Sequence, residues 1–465
     1  MSERESQHGH WSSRTMFILA ATGSAVGLGN IWKFPYMAGE FGGGVFVLFY
    51  IFCVAIIGIP IMMAEIMLGR KGRHSPINTM RLVAEDEGQS KWWQALGWMG
   101  VVAGFLILSF YSVIAGWTLA YVFRVASGLF EGQTAAGVGS IFSEFVSDPE
   151  RLLFWHTAFM VLTVYVVGGG VRHGLERAVK YLMPALLIIL LLMVGYAMNT
   201  GYFAQGVKFM FYPNFEALKA EGAIKDAILG GMGQAFFSLS LGMGAIMAYG
   251  AYLPPKTSIA SAAISIALMD TLVALLAGLA IFPIIFANGL EPASGPGLIF
   301  KVLPIAFGQM PGGSIFGTLF FVLLVFAAWT SSISLVEPAV AYLVEKRGMS
   351  RRKAAGVCGV VAWLLGIFTV FSFNIWSDVH PLGMFAVFKD KTFFDLIDFL
   401  TSNVLLPLGG VLVAVFVAWL MKRETSCNEL NITGATCGYP LWRLLTRYVS
   451  PVLVLIIFIV GLLRL

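Results

Sequence analysis

Residues 23–30 read Gly23-Ser24-Ala25-Val26-Gly27-Leu28-Gly29-Asn30, with three glycines, a serine and an asparagine inside a mostly apolar run covering 14–38. Glycine is a poor helix former because its backbone gives up the most freedom on ordering. A helix through this run is therefore expected to open near its centre. The pattern returns at Ser238-Leu239-Ser240-Leu241-Gly242-Met243-Gly244, inside a second apolar run covering 224–253. Glycines that merely let helices pack closely would account for either stretch alone. They do not account for two stretches in matching positions, each beside hydroxyl or amide side chains.

What surrounds these stretches fixes the solvent. The chain has 465 residues, 58% hydrophobic and only 12% charged, with a mean hydropathy of +0.83. A water-exposed surface needs more charge than this, whereas a bilayer demands long apolar runs. Eleven such runs occur, at 14–38, 41–69, 93–127, 152–170, 177–199, 224–253, 257–288, 314–345, 353–374, 394–421 and 442–463. None shows the alternating ten-residue pattern of a membrane barrel, so the class is all-α transmembrane. The glycine breaks fall in the first and sixth runs, the same place in two successive sets of five. An odd number of helices per set inverts the second copy, as in transporters built on inverted repeats. The expected organisation is an N-terminal segment 1–13, repeat one 14–199, repeat two 200–421, and an inner loop with an eleventh helix, 422–465.

Charge sets the expected orientation. With the N-terminus inside, 20 of the 30 basic residues lie on the cytoplasmic side, and Leu465 ends outside. The net charge of +5 is thus topological rather than a nucleic-acid footprint, and the expected site is a bacterial inner membrane. Arg14 followed by an apolar stretch has something of a secretory leader, but Asn30, Lys33 and Pro35 and a second apolar run follow, so it reads as a span. Cys53 and Cys358 fall in spans, and Cys427 and Cys437 in an inner loop. None has metal-ligand spacing, and no disulfide is expected. Asn431-Ile-Thr matches a glycosylation sequon by chance on the inner side. No obligatory protein partner is implied.

Non-helical backbone at membrane depth persists only where it lines a cavity or is buried by protein. Its free carbonyls can coordinate a cation, and free N–H groups at half-helix ends can take an anionic group. Thr330-Ser331-Ser332 adds hydroxyls deep in the eighth run. Such hydroxyls usually bond the carbonyl one turn back. Together with loosened carbonyls they also make a hard-oxygen set suited to sodium.

These residues resemble the neurotransmitter:sodium symporter family over almost the whole chain. The resemblance is carried by Trp11-x-x-Arg14, residues 23–30 with Lys33-Phe34-Pro35, Gly42-Gly43-Gly44, Gly58-Ile59-Pro60 with Glu65, Gln234-x-Phe236-Phe237-Ser238-Leu239-Ser240, and Thr330-Ser331-Ser332. It implies a LeuT-type 5+5 inverted repeat with unwound helices 1 and 6 plus one extra C-terminal helix. It also implies two Na⁺ ions. The second would sit on the carbonyls of Gly23, Val26 and Ala327 and the hydroxyls of Thr330 and Ser331. The first would use the Ala25 carbonyl, Asn30, Ser238 and a seventh-helix residue, usually Asn. Alignment on Gly278 puts Asp270 there. Animal members hold a chloride beside this sodium, partly through a serine four residues further on. Here that position is Ala274, and an ionised Asp270 would itself offset the cation. No chloride is expected. The competing reading of Asp270 is a protonated interior acid.

The resemblance further implies a substrate pocket of Ser24, Ala25, Leu28, Gly29, Ile107, Tyr111, Phe237, Ser238, Ser240, Met243, Ser331 and Leu335. The Leu28 and Gly29 N–H groups and the Tyr111 hydroxyl would take a carboxylate, and carbonyls of the sixth-helix break an ammonium. Met243 stands where the family often has Phe, and flexible Met can repack around Trp, Phe, Leu or Val. The outer gate would pair Lys33 with Asp398, above a lid of Tyr111 and Phe237. Lysine lacks arginine's bidentate fork. The inner gate would use Trp11, Tyr252 and Glu345, with His8 at the position of the family's arginine and Arg4 as an alternative partner. Gly174 and Pro184 suggest a hinge at the inner end of helix 5, although Gly174 could equally mark a loop-to-helix boundary.

The expected function is sodium-coupled symport of hydrophobic amino acids by alternating access, with another small zwitterion or osmolyte as the alternative substrate. A channel needs a continuous polar path, whereas the polar residues here cluster at mid-membrane. A sensor needs an output domain, and no segment is long enough. An enzyme needs a nucleophile–base pair or metal motif, and none is visible.

Overall fold

The structure, a computed structural model, describes residues 4–213, 223–292, 297–430 and 438–463. The sequon at 431–433, Cys437 and the terminal Leu465 lie outside the described residues.

Among the described residues, nine continuous helices are long and apolar enough to cross a bilayer. In the order of the sequence they supply span 2 (Gly44–Gly72), span 3 (Lys91–Ala126), span 4 (Pro149–Gly168), span 5 (Val171–Met198) and span 7 (Ile259–Ala287). Span 8 (Gly313–Arg347), span 9 (Arg351–Ser372), span 10 (Phe393–Leu420) and span 11 (Gly438–Val460) complete the nine. Span 1 is a broken pair, Arg14–Ala25 and Gly29–Glu40, bent by 53°. Span 6 is likewise two pieces, Ala223–Ser238 and Ala245–Ala251. With those two pairs the count reaches the eleven expected from the sequence, and the breaks fall where the glycine clusters do.

Short helices that apolar run length does not reveal fill the connections: Pro76–Asp86, Ala135–Ser147, Phe203–Phe211, Leu298–Gln309 and Arg423–Leu430. At about 1.5 Å per residue none is long enough to cross a bilayer. Span 5 departs from one expectation. It begins at Val171 with a π-helical turn, Val171–Glu176, and continues through Pro184. Gly174 is therefore inside the helix and is not a loop boundary.

The core is assembled by close helix contact. Span 3 packs along span 8, and a Cβ at Gly104 would come within 2.9 Å of the Leu335 carbonyl oxygen. Only a residue without a side chain lets the two backbones approach this far. Span 8 is thereby held beside the first half of span 1, bringing Thr330–Ser334 to the break in that span.

Candidate functional site

The break in span 1 is built from its own polar residues. The helix ends at Ala25, Val26 turns extended (φ −68°, ψ 105°), and the Gly27 N–H donates to the Asn30 side-chain oxygen at 3.1 Å. The next free donor, Leu28 N–H, reaches the Tyr111 hydroxyl at 3.2 Å. In span 6, Ser240 adopts a left-handed conformation (φ 54°), followed by Gly242 (φ 80°) and Gly244 (φ 73°). The Gly242 N–H donates to the buried Glu65 carboxylate at 2.7 Å. The two breaks are tied to each other by the Ser240 hydroxyl, which donates to the Ser24 carbonyl at 3.0 Å.

Asp270, fully buried on span 7, lies between the broken spans. Its carboxylate accepts from Ser238 Oγ at 2.6 Å, Asn30 Nδ2 at 2.8 Å and the Tyr50 hydroxyl at 3.2 Å. Asn30 Nδ2 also reaches the Asp270 carbonyl at 3.1 Å. Three residues assigned from the sequence, Asn30, Ser238 and Asp270, are thus in mutual contact. Tyr50 joins them unassigned; Gln234, also unassigned, donates from Nε2 to the Gly29 carbonyl at 2.7 Å. The donor set is oxygen-rich and carries one carboxylate, the chemistry of a hard cation site. A carboxylate buried this deeply is costly without a positive partner.

A second oxygen cluster lies on the other side of the span 1 break. Ser331 Oγ is 3.2 Å from the carbonyl oxygens of Val26 and Ser24 and 3.5 Å from that of Gly23. Thr330 Oγ1 bonds the carbonyls of Phe326 and Ala327, each at 3.1 Å, which is the usual fate of a helical hydroxyl. Its Cβ lies against Gly23, where an added Cβ would meet it at 3.3 Å. Of the five residues assigned to the second ion, Ser331 thus meets the carbonyls of Gly23 and Val26, with that of Ser24 in addition, while the Thr330 hydroxyl bonds the Ala327 carbonyl within its own helix turn. Gly27 keeps this junction open, because a Cβ there would lie 2.6 Å from Ser331 Oγ and 2.8 Å from the Tyr111 hydroxyl.

Of the expected pocket, Leu28, Gly29, Tyr111 and Phe237 line a cavity of about 430 Å³. Its walls include Trp32, Trp117, Phe300, Phe373, Lys33 and Asp398. Ser24, Ala25, Ile107, Ser238, Ser240, Met243, Ser331 and Leu335 are buried and do not line it. Phe237 packs against Gly29, where an added Cβ would meet its ring at 3.2 Å. The expected Lys33–Asp398 ion pair is not formed: Lys33 Nζ stands 4.4 Å above the Phe237 ring, and Asp398 accepts from Ser402 Oγ at 3.0 Å. Asp395 is occupied as the capping partner of Thr392 at the start of span 10.

The residues expected at the inner gate form a buried cluster of contacts. His8 Nε2 meets Glu345 Oε1 at 3.0 Å with both side chains almost fully buried. Glu345 also accepts from Ser75 N–H (2.7 Å), Ser75 Oγ (2.6 Å) and Asn78 Nδ2 (2.7 Å). His8 is thus the basic partner, and Arg4, the alternative, pairs with Asp86 instead. Trp11 is pinned by its indole N–H to the Tyr249 carbonyl (3.1 Å). Tyr252 does not bond Glu345. Its hydroxyl donates to Glu337 at 2.7 Å, and Arg351 pairs with the same carboxylate. Glu65 and Glu337 carry no sequence-assigned role, although a carboxylate inside an apolar run is itself a signal.

The profile of the Sodium:neurotransmitter symporter family matches residues 8–130 and 146–465. A sodium-dependent transporter of Bacillus subtilis (strain 168), YhdH, is 39% identical over 452 residues, covering 97% of this chain and 96% of the relative. A sodium-dependent transporter of Haemophilus influenzae is 33% identical, covering 99% and 100%. The crystal structure of MhsT in complex with L-phenylalanine superposes with a TM-score of 0.87 at 42% identity, covering 97% of this chain and 99% of that one.

Proposed function

The chain belongs to the sodium:neurotransmitter symporter family, sodium-coupled transporters of the membrane, and on that premise we propose that it imports hydrophobic and aromatic L-amino acids with Na⁺ by alternating access. The observation that carries this reading is the pair of oxygen clusters, Asn30–Ser238–Asp270 and Ser331 with the 23–26 carbonyls, both built on the broken spans. Each cluster takes one sodium ion. The first uses the Ala25 carbonyl, Asn30, Ser238 and Asp270, and the second uses Gly23, Val26, Ala327, Thr330 and Ser331.

Asp270 supplies the negative charge that offsets the first ion, so transport proceeds without chloride. Ala274, with no hydroxyl at the neighbouring turn, supports the same reading. The amino acid lies between the two breaks, its carboxylate on the Leu28 and Gly29 N–H groups and Tyr111, its side chain toward Ile107, Met243 and Leu335. A chain similar along its length to one crystallised with phenylalanine is consistent with an apolar side-chain pocket.

The open cavity at Lys33 and Asp398 and the sealed contacts at His8 and Glu345 correspond to an outward-facing state. Sodium favours that state, substrate draws Phe237 and Tyr111 over the pocket, and Lys33 then meets Asp398. Inward opening follows when the His8–Glu345 contact parts and span 5 unwinds between Gly174 and Pro184. Each ligand moves the equilibrium only through its differential affinity for the two states. The N-terminus lies in the cytoplasm of a bacterium and the C-terminus outside, with repeats at 14–199 and 200–421. Uptake of labelled tryptophan into proteoliposomes, with and without a sodium gradient and with chloride replaced by gluconate, tests the proposal. Uptake independent of sodium, or absent for every hydrophobic amino acid, would refute it.

A further inference from the structure

On the lipid side of spans 4 and 5, away from the substrate path, a cavity of about 680 Å³ is lined by Tyr165, His173, Arg177, Tyr181, Trp329 and Arg352, among others. Among the described residues no acidic one lines it. Among the described residues, neither the Arg177 nor the Arg352 side chain has an ion-pair or hydrogen-bond partner. The carboxylate nearest in sequence, Glu176, is taken by Ser12, whose N–H and hydroxyl reach it at 3.0 and 2.5 Å. Tyr165 and Tyr181 are 82% and 64% exposed, on helices whose outer faces meet lipid. Val164 and Leu182 add apolar wall.

Two unpaired guanidiniums and an imidazole beside outward-turned tyrosines match one kind of occupant, an anion attached to an apolar tail. Arginine's planar fork suits phosphate oxygens. Tyrosines collect at the headgroup level of a bilayer. Basic pockets between helices at the cytoplasmic face suit anionic lipid headgroups. The geometry points to this cavity as a binding site for the phosphodiester headgroup of an anionic phospholipid, held between spans 4, 5 and 9.

The site bears on opening. Gly168, Gly169 and Gly174 form part of its wall, and Gly174 belongs to the π-helical turn that starts span 5. The other side of that turn holds the N-terminal segment through Glu176. A headgroup on Arg177 and Arg352 therefore braces the start of span 5 against span 9 and keeps the inner end closed.

The test uses the full-length protein in detergent micelles, titrated with dioleoylphosphatidylglycerol, dioleoylphosphatidylcholine or inorganic phosphate. Bound lipid is counted by native mass spectrometry, and the thermal unfolding midpoint is followed. Phosphatidylglycerol is expected to form discrete adducts and raise the midpoint by a few degrees, as a ligand specific to the folded state does. Phosphatidylcholine and phosphate are expected to do neither. Arg177→Gln/Arg352→Gln should lose both effects, while Arg347→Gln/Lys353→Gln, at the same end but outside the cavity, should keep them. If the first double variant does not fold, Arg352→Gln alone, altering an exposed side chain, is expected to lose at least half of the adducts. Equal stabilisation by phosphatidylcholine or by free phosphate overturns the proposal, as do adducts that survive the arginine substitutions.

Discussion

Ser238, the last residue of the first half of span 6, donates its hydroxyl to the Asp270 carboxylate across 2.6 Å, and Asn30 of span 1 donates to the same carboxylate at 2.8 Å. One acid thereby holds both broken spans. Asp270→Asn keeps the shape and removes the charge. The sodium concentration giving half-maximal substrate binding in chloride-free medium is expected to rise about tenfold or more, the factor that about 1.4 kcal/mol produces. Added chloride should recover part of the loss. An unaltered sodium dependence in both media would remove Asp270 from its role as counter-charge.

Met243→Phe replaces a flexible side chain, buried at the second break, with a rigid ring. Overfilling a packed site costs about 1–3 kcal/mol. Competition binding should show tryptophan losing roughly tenfold more affinity than leucine. Equal losses for the two would mean that the side-chain pocket lies elsewhere.

Glu345→Gln leaves His8, Ser75 and Asn78 with a neutral partner in place of the carboxylate they share. Hydrogen bonds to a charged group contribute about 1.5–3 kcal/mol each. Hydrogen exchange of residues 4–12 should accelerate, because the inner end opens more often. Restoring a stronger cation with His8→Arg in the native Glu345 background should slow exchange below that of the native protein. No change in either variant would show that this contact does not hold the inner end shut.

Arg351→Ala strands Glu337, which is fully buried and otherwise bonded only by Tyr252 among the described residues. Removing one partner of a buried pair costs about 3–5 kcal/mol. The unfolding midpoint should drop by several degrees, and Arg351→Ala/Glu337→Gln should regain part of that drop. A single variant as stable as the native chain would show that the pair contributes little to the fold.

The spans were legible because run length and glycine spacing are local properties. The two breaks at 23–30 and 238–244, and the convergence of Ser331 on the first of them, follow the sequence closely. The contacts of Tyr50 and Gln234 were not legible, since what a tyrosine or glutamine touches depends on which helix packs opposite. The Tyr252–Glu337–Arg351 cluster joins residues up to 99 positions apart and leaves no periodic trace. Lys33 and Asp398 show a different limit. Both line one cavity without pairing, and whether two facing side chains meet depends on what else packs beside them, here Phe237 and Ser402.

Ser240 stands in a backbone region that side chains other than glycine seldom occupy, and its hydroxyl is a second strap between the two interruptions, beside the Asn30–Ser238 contact. Conversion to glycine would ease the strain of roughly 1 kcal/mol that such a conformation stores while cutting the strap. The expected product is a sturdier chain whose two broken spans move less closely together, read as a raised unfolding midpoint with less substrate taken up per sodium ion.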